Sequence, residues 1–405
     1  MTTTSLRNAR LTDGRTVDVS VVDGTIATVD QAGTATDGHD LAGWLLLPAM
    51  AEPHAHLDKA LTAEDVPNPK GDLMGAIDAW IAAAAAGKIT PEGITERAAK
   101  AMELLLVHGV TAVRTHVNVL ESIGATAVRC VREAADRYEG LLDVQIVALC
   151  GSPLTGPDGA GTRAALAEAI EVGIDFVGGC PHLDDDSDGV IRTAIDAATD
   201  AGIGIDLHVD EMLDPSVLTL RDYARQVMDR GFEGLTAASH CVTLGMQTPE
   251  VQAQVAAEVA EAGIAVFPLP QTNLFLQGRD DPTATPRGLT AVAALQEAGA
   301  LVAAGADNVQ DPFNLVGRSD PLETAALMVM AGHQLPDDAY AMVSNNVRQA
   351  IGLAPVTIEP GSPADLLAID APSIRGAIAD APMSRRVFRH GQLVASADQQ
   401  TAVHR

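Results

Sequence analysis

Several features that would announce a function are missing from this sequence, and each absence excludes a class of protein. No apolar run in its 405 residues reaches the roughly 18–20 residues of a membrane helix, and the alanine-rich stretch 81–86 is far shorter. The first residues lack the apolar core of a secretory signal, so we expect a cytoplasmic protein. The four cysteines include no CxxC pair, which excludes a zinc ribbon or a thioredoxin-like motif and fits a reducing compartment.

Basic residues are also scarce. The chain has 26 Lys and Arg against 54 Asp and Glu, a formal net charge of −28. A surface this acidic repels phosphate backbones and anionic lipids, so we expect neither nucleic acid nor membrane partners. The function must therefore depend on a few particular residues, and the charge favours a neutral or cationic small molecule as the ligand.

From residue 44 onward the sequence alternates between short apolar runs and Ala-rich segments with helical spacing, which is typical of repeated β/α units. The apolar runs are 44–49, 110–115, 142–150, 174–178, 203–208, 235–240, 264–269 and 301–304. The helical segments include 92–107, 162–171, 190–201, 249–262 and 290–298. Glycines follow several of these segments, where a left-handed residue ends a helix: Gly109, Gly173, Gly202, Gly263 and Gly299.

Eight units over this length predict an α/β protein with a (β/α)8 TIM barrel. An open doubly wound sheet is disfavoured, because the sequence has no GxGxxG fingerprint after its first strand and no Walker A motif. Both ends of the chain are rich in strand and turn signals, such as Asp23-Gly24 and His390-Gly391. We therefore predict a small β-sandwich domain formed by both termini, residues 1–48 and 353–405, around a barrel domain of residues 49–352.

Polar side chains are concentrated where the predicted barrel strands end, which is where TIM-barrel enzymes carry their catalytic groups. In the run 53–58, PHAHLD, His54 and His56 share one face of the first strand. His208 ends the fifth strand, His240 the sixth, and Asp307 the eighth. Imidazole and carboxylate ligands with an open position suit Zn²⁺ or Fe²⁺, so the pattern predicts a metal site at the barrel mouth.

Glu211 lies three residues after His208, also at a strand end. A bound divalent ion lowers the pKa of its water to about 7. A carboxyl group at this position can then move protons between the water and a leaving nitrogen. These residues together indicate metal-assisted hydrolysis.

Six short motifs resemble the amidohydrolase superfamily, and more narrowly its cytosine deaminase branch. They are EPHAHLD (52–58), VRTHV (113–117), HVDE (208–211), SH (239–240), LQGR (276–279) and DNVQDP (307–312). The likeness extends over nearly the whole chain, to PGSPAD (360–365) near its end.

The resemblance implies a role for each residue of the site. One catalytic divalent metal would be bound by His54, His56, His208 and Asp307. His240 would hydrogen-bond the metal-bound hydroxide, Glu211 would shuttle the proton to the ring nitrogen and the departing amine, and Asp307 would act as base on the water. The fourth strand ends in GGCPH (178–182) without a lysine, which implies a single metal. The ligand set accepts Zn²⁺, Fe²⁺ or Mn²⁺.

Five residues are predicted to lie beside the substrate, two of them from this resemblance and three from their positions after predicted strands. Gly151 stands where the cytosine branch carries a Gln that reads the pyrimidine, and Asn308 stands where cytosine deaminase has an acid. The predicted substrate contacts are Gly151, His182, Gln277, Asn308 and Phe313. Lys59, which follows the first histidine motif, is expected to be a surface or capping residue.

The predicted function is hydrolytic deamination of an amino-substituted, cytosine-like N-heterocycle, with metal-bound hydroxide as nucleophile and ammonia as product. The same site could instead remove an alkylamine from a triazine-like ring or open a cyclic amide. A third possibility is a metal-free barrel that binds ligands without catalysis. The expected partner is a small heterocycle, and the resemblance favours a homo-oligomer.

Overall fold

The computed structural model describes residues 2–404, which form two sheets and a set of surrounding helices. The strands, β1 to β15 in chain order, are Thr3–Arg10, Thr16–Val22, Thr25–Gln31, His39–Asp40, Leu45–Pro48, Met50–Ala55, Val110–Val119, Asp143–Cys150, Phe176–Gly178, Gly204–Val209, Thr236–His240, Ala265–Phe267, Leu366–Ile369, Arg385–Arg389 and Gln392–Ala397. The helices, α1 to α14, are Leu73–Ala85, Pro91–Val107, Thr126–Asp136, Ala160–Val172, Ser187–Ala201, Thr219–Asp229, Val242–Gly245, Pro249–Glu261, Pro270–Leu276, Val292–Glu297, Pro321–Met330, Pro336–Met342, Asn345–Ala350 and Ile374–Asp380. A short 3₁₀ helix, Pro181–Leu183, follows β9.

Strands β6 to β12 form a parallel sheet in strict chain order, with a helix after almost every strand. Their side chains are buried on both faces, because helices cover the outside and the barrel interior is packed. The five glycines predicted to end helices have positive φ angles of 67° to 101°. No helix among residues 2–404 is long and apolar enough to span a membrane.

Residues 301–307 close the barrel without forming a regular strand, and we call them the seam segment. Val302 forms a single parallel bridge to Val266 in β12, and Asp307 forms one to Ala55 in β6. The seven-stranded sheet is therefore nearly closed, and the predicted TIM barrel is confirmed.

A buried carboxyl group, Glu52 of β6, adds to the pairing across the seam. Its Oε1 accepts the backbone N–H groups of His54 and Ala306, each at 3.1 Å. A Cβ atom on Gly305 would lie 2.5 Å from this oxygen, so glycine is required there. The side chain thus replaces strand-to-strand hydrogen bonds that the seam segment lacks.

The two chain ends share one mixed sheet, ordered β15-β14-β13-β5-β1-β2-β3, with β4 paired to β1. C-terminal β13 runs antiparallel to N-terminal β5, which joins the two halves. A small core from both halves is buried beneath it, including Leu6, Val19, Leu46, Leu366 and Phe388. The predicted pairing of the termini is confirmed, as a continuous sheet of eight strands.

Two of the eight apolar runs are not the barrel strands that we predicted. Residues 45–48 of the first run form β5 of the terminal sheet, and the first barrel strand is β6, Met50–Ala55. The eighth run lies in the seam segment, which makes only isolated bridges. The first strand was assigned wrongly because a fully apolar run fits the buried position of a strand in either sheet. The true first barrel strand, β6, is less apolar because it carries polar residues of the site.

Arg385 of β14 fixes the terminal sheet to the barrel. This fully buried side chain donates to the His108 carbonyl at 2.6 Å, just after α2. It also donates to both carboxylate oxygens of Asp320, at 3.0 and 2.7 Å. Asp320 in turn accepts the Leu322 N–H at the start of α11. One charged pair therefore connects three elements from distant parts of the chain.

Arg385→Met is expected to lower the free energy of unfolding by about 3–5 kcal/mol, because the Asp320 carboxylate is left buried without its partner. Urea unfolding followed by circular dichroism measures the change. The control is Arg137→Met, whose ion pairs with Glu96 and Glu133 are exposed and should leave the urea midpoint unchanged. Equal effects of the two substitutions would contradict the assigned role of Arg385.

Candidate metal centre and active site

Four donor atoms converge at the carboxyl end of the barrel. The Nε2 atom of His56 lies 3.4 Å from His54 Nε2, 3.3 Å from His208 Nε2 and 3.2 Å from Asp307 Oδ1. His54 Nε2 is 3.6 Å from the same Asp307 oxygen. The four residues come from β6, the turn after it, β10 and the seam segment. Residues that are distant in sequence thus present one compact set of nitrogen and oxygen atoms.

These residues fit a divalent metal ion. Ligand atoms at 2.0–2.1 Å from a tetrahedral Zn²⁺ are about 3.3 Å apart, close to the spacing seen here. Among the described residues, neither carboxylate oxygen of buried Asp307 has a hydrogen-bond partner. Coordination to a metal ion would satisfy these oxygens. Burial, followed by the neighbouring imidazoles, lowers the pKa of His54 and His208 well below the ordinary value. Both are therefore neutral at pH 7, the state that binds metals.

A chain of hydrogen bonds below the centre orients His54. Its Nδ1–H donates to Ser239 Oγ at 2.7 Å, and Ser239 donates to Asp206 Oδ1 at 3.2 Å. The other Asp206 oxygen accepts from Arg114 Nη1 at 2.8 Å. Burial alone would raise the pKa of Asp206, but His116 and Arg114 lower it below the ordinary value. The carboxylate is thus charged, and its partners leave His54 Nε2 free to bind the metal.

His56 is held by a different contact. Its Nδ1–H donates to the backbone carbonyl of His116 at 3.1 Å, so that Nε2 carries the lone pair that faces the other ligands. Burial, followed by the charge of Lys59, lowers the pKa of His56 well below the ordinary value. His54 and His56 are therefore both held in the tautomers that metal binding requires.

Glu211 and His240 lie beside this cluster. His240 Nδ1 is 3.6 Å from Glu211 Oε1, and its Nε2 is 3.9 Å from Asp307 Oδ2. Burial lowers the pKa of His240 to about 4, so the imidazole is neutral. Burial and the nearby Asp307 raise the pKa of Glu211 well above the ordinary value. The arrangement places a group that can carry a proton within reach of the metal ligands.

The cluster lies in a cavity of about 320 Å³ at the barrel mouth, which we call the mouth cavity. Helix α1 forms one wall, because Leu73, Ile77 and Trp80 recur at helical spacing on one face. Further apolar wall is formed by Leu120, Leu149 and Phe313, and the histidines and acids of the cluster lie at one end. A cavity with apolar walls and a polar end suits a ring with one reactive edge.

The predicted substrate contacts are only partly gathered here. Gly151, Asn308 and Phe313 line the mouth cavity, whereas His182 and Gln277 are not among its lining residues. Gln277 instead donates to the backbone carbonyl of Glu211 at 3.0 Å. A Cβ atom on Gly151 would lie 2.5 Å from Leu120, which covers the position.

Asn308 is oriented by a neighbour. Its side-chain amide donates to Asp311 Oδ2 at 2.7 Å, and Asp311 also accepts the Phe313 N–H at 2.8 Å. Burial raises the pKa of Asp311 to about 7. The loop after the seam segment therefore holds one polar and one aromatic wall residue in fixed positions.

Sequence reasoning missed two parts of the site. Lys59, predicted to be a surface or capping residue, is only 4% exposed and lines the mouth cavity. Helix α1 was not recognised as a wall, although the spacing of its apolar residues could have shown an unpartnered face. The lysine carried no signal, since lysines are rarely buried.

A parallel barrel with converging His and Asp side chains at its carboxyl end defines a class, the barrel hydrolases with a metal centre. Comparison with known proteins is consistent with this class. The amidohydrolase family matches residues 82–395. A pterin deaminase of Rhizobium rhizogenes is 32% identical over 386 residues, 93% of this chain and 87% of that protein.

Two solved structures extend the comparison. A 5-methylcytosine deaminase from Klebsiella pneumoniae has a TM-score of 0.86 at 29% identity and covers 99% of both chains. An N-isopropylammelide isopropylaminohydrolase from Burkholderia multivorans has a TM-score of 0.84 at 26% identity, covering 98% of this chain and 99% of that one. The chain belongs to the amidohydrolase family, a family of metal-dependent hydrolases that cleave carbon–nitrogen bonds.

Proposed function

We propose that this protein is a metal-dependent deaminase that replaces the amino group of an N-heterocycle with oxygen and releases ammonia. The observation that carries the proposal is the convergence of His54, His56, His208 and Asp307 next to Glu211 at one end of the mouth cavity. The similarity to a pterin deaminase and a 5-methylcytosine deaminase supports a ring with an exocyclic amine.

His54, His56, His208 and Asp307 would hold the ion. When bound, the divalent cation lowers the pKa of a water molecule that it holds, which makes hydroxide available at neutral pH. Asp307 Oδ1 lies on the side of His54 and His56 and would be the ligand oxygen. Its Oδ2 faces His240 and takes the proton of the attacking water. His240 is neutral and hydrogen-bonds the attacking oxygen through Nε2.

Glu211 performs the proton transfers that release the amine. As the new carbon–oxygen bond forms, the ring C=N electrons move to nitrogen, and Glu211 protonates that nitrogen. Glu211, now a carboxylate, takes the proton of the newly attached hydroxyl group and passes it to the exocyclic amine. The carbon–nitrogen bond breaks, ammonia leaves a ring carbonyl behind, and the proton held by Asp307 restores the Glu211 carboxyl group. The raised pKa of Glu211 lets it carry the proton before attack.

The proposal is tested with purified protein and a panel of pterin, cytosine, isocytosine, creatinine and N-isopropylammelide. We expect ammonia from at least one ring, loss of activity after chelation, and recovery with Zn²⁺, Fe²⁺ or Mn²⁺. Elemental analysis should find about one ion per chain. Protein that holds no stoichiometric metal, cannot be reconstituted and releases no amine would contradict the catalytic assignment.

A second function keeps the same residues but has a different leaving group. The N-isopropylammelide isopropylaminohydrolase neighbour favours removal of an alkylamine from a triazine ring. In that case the panel would yield isopropylamine from N-isopropylammelide and no ammonia from the other rings. Chromatographic identification of the released amine separates the two functions.

A further inference from the structure

Lys59 is the only lysine or arginine among the residues that line the mouth cavity, whose other charged residues are Glu211 and Asp307. Its backbone is fixed in a turn, because its N–H donates to the His56 carbonyl and its carbonyl accepts from Thr62. The side chain is therefore placed by the fold and is 4% exposed. A buried ammonium group is costly unless it is paired or hydrogen-bonded.

The protein does not provide Lys59 with a good acceptor. Its Nζ lies 3.1 Å from His56 Nδ1. That nitrogen donates its own proton to the His116 carbonyl when Nε2 serves as a ligand atom, so it cannot also accept from Lys59. Asp58 Oδ1 lies 3.6 Å from Nζ, which is an ion-pair contact but longer than a hydrogen bond. Within residues 2–404, no other side chain forms a hydrogen bond with Nζ.

We infer that Lys59 binds the substrate by donating a hydrogen bond to an oxo group on the heterocycle. The inference rests on the proposed function and extends it to a substrate class, the amino-substituted ring that also carries a ring carbonyl. Nζ lies at the edge of the His56 imidazole opposite its ligand nitrogen, so the bound oxygen is displaced from the reacting carbon. In pterin, cytosine and ammelide rings, an oxo group indeed lies one ring nitrogen away from the amine-bearing carbon.

The polarity of the site supports this orientation. Glu211 and Asp307 give the reacting end of the cavity two acidic groups, whereas α1, Leu120 and Phe313 are apolar. The acids are engaged in the reaction, and an oxo group placed against the apolar walls would be left without a hydrogen bond. Lys59 is the one cationic donor that can satisfy it, and it thereby fixes which ring edge faces the metal ligands. We therefore describe Lys59 as a substrate-binding residue that determines specificity.

The test compares ring pairs that differ only in the oxo group: pterin with 2-aminopteridine, and cytosine with 4-aminopyrimidine. Binding is measured on metal-loaded Glu211→Gln protein, in which turnover is suppressed, through the fluorescence of Trp80 in a Trp44→Phe background. Lys59→Met should weaken binding of the oxo compound by about 10- to 100-fold, the loss expected for a hydrogen bond from a charged donor. Binding of the deoxo compound should be unchanged.

Lys59→Gln keeps a neutral donor and should give an intermediate loss, and it replaces Lys59→Met if that variant does not fold. Lys100→Met, at an exposed position on α2, is the matched control and should change neither compound. Metal content is measured in every variant. Equal losses for both members of a pair, or no loss for either, would overturn the assignment. Failure of the wild-type protein to release any amine from the panel would instead reject the proposed function.

Discussion

Glu211→Gln is expected to reduce turnover of the heterocycle by about 10²–10⁴-fold, the usual contribution of a positioned acid–base group. The glutamine amide has nearly the same shape as the carboxyl group and can still hydrogen-bond, but it cannot release and recover a proton. Because Glu211 is not among the four converging donor atoms, metal content should stay at the wild-type level. Steady-state amine release and elemental analysis on the same preparation measure both quantities.

The control for this prediction is Glu171→Gln, an exposed position on α4 far from the mouth cavity, which should leave turnover unchanged. Turnover of Glu211→Gln within about twofold of wild type would remove Glu211 from the proton transfers. Loss of metal along with turnover would show that Glu211 supports the ion instead.

Asp206→Asn is expected to lower the free energy of unfolding by about 3–5 kcal/mol, because Arg114 is left as a buried charge without its partner. The same change removes the carboxylate that accepts a hydrogen bond from the Ser239 hydroxyl. Ser239 in turn orients His54. Metal affinity should therefore fall by about 10- to 100-fold. Urea unfolding of metal-free protein and competition titration with a chromophoric chelator separate the two effects.

Two further variants test whether stability and metal affinity depend on different contacts of Asp206. The double variant Arg114→Met, Asp206→Leu leaves no buried charge, so most of the lost stability should return while metal affinity stays low. Ser239→Ala should lower metal affinity with little change in stability, because only the link to His54 is lost. Wild-type metal affinity in the double variant would show that Asp206 does not orient His54.

The barrel was predictable from the sequence because most of its strands are buried on both faces and are followed by helices that end in glycine. The runs at 110–115 and 203–208, for example, lie in or at the start of regular strands. The first barrel strand was misplaced because β6 carries His54 of the site and the buried Glu52. These polar residues interrupt its apolar pattern. The neighbouring run 44–49 was mistaken for it, although its pairing partner β13 lies more than 300 residues later.

The convergence of the four candidate metal ligands was predictable because strand ends bring side chains together by topology alone, whatever their distance in sequence. The walls of the cavity were not, because α1 and the turn at Lys59 are additions to the first βα connection. Their orientation depends on tertiary packing, and no local pattern says that a lysine beside a histidine motif faces inward. His182 and Gln277 show that a position near a strand end is not sufficient to predict a cavity-lining residue, because neither lines the mouth cavity.

The seam segment has a kinetic consequence. On the β12 side, the N–H and the carbonyl of Val266 both form backbone hydrogen bonds with the seam segment. On the β6 side, its only backbone hydrogen bond among the described residues runs from the Asp307 N–H to the His54 carbonyl. Transient opening of the barrel is therefore expected on the β6 side, where it must also break the hydrogen bond from the Ala306 N–H to Glu52, and it would separate His54 and His56 from Asp307. An ion bound to both sides would act as a clamp, so the free energy of closing the barrel becomes part of the metal affinity. Opening of the barrel on this side would therefore favour release of the ion, and a bound ion would oppose that opening.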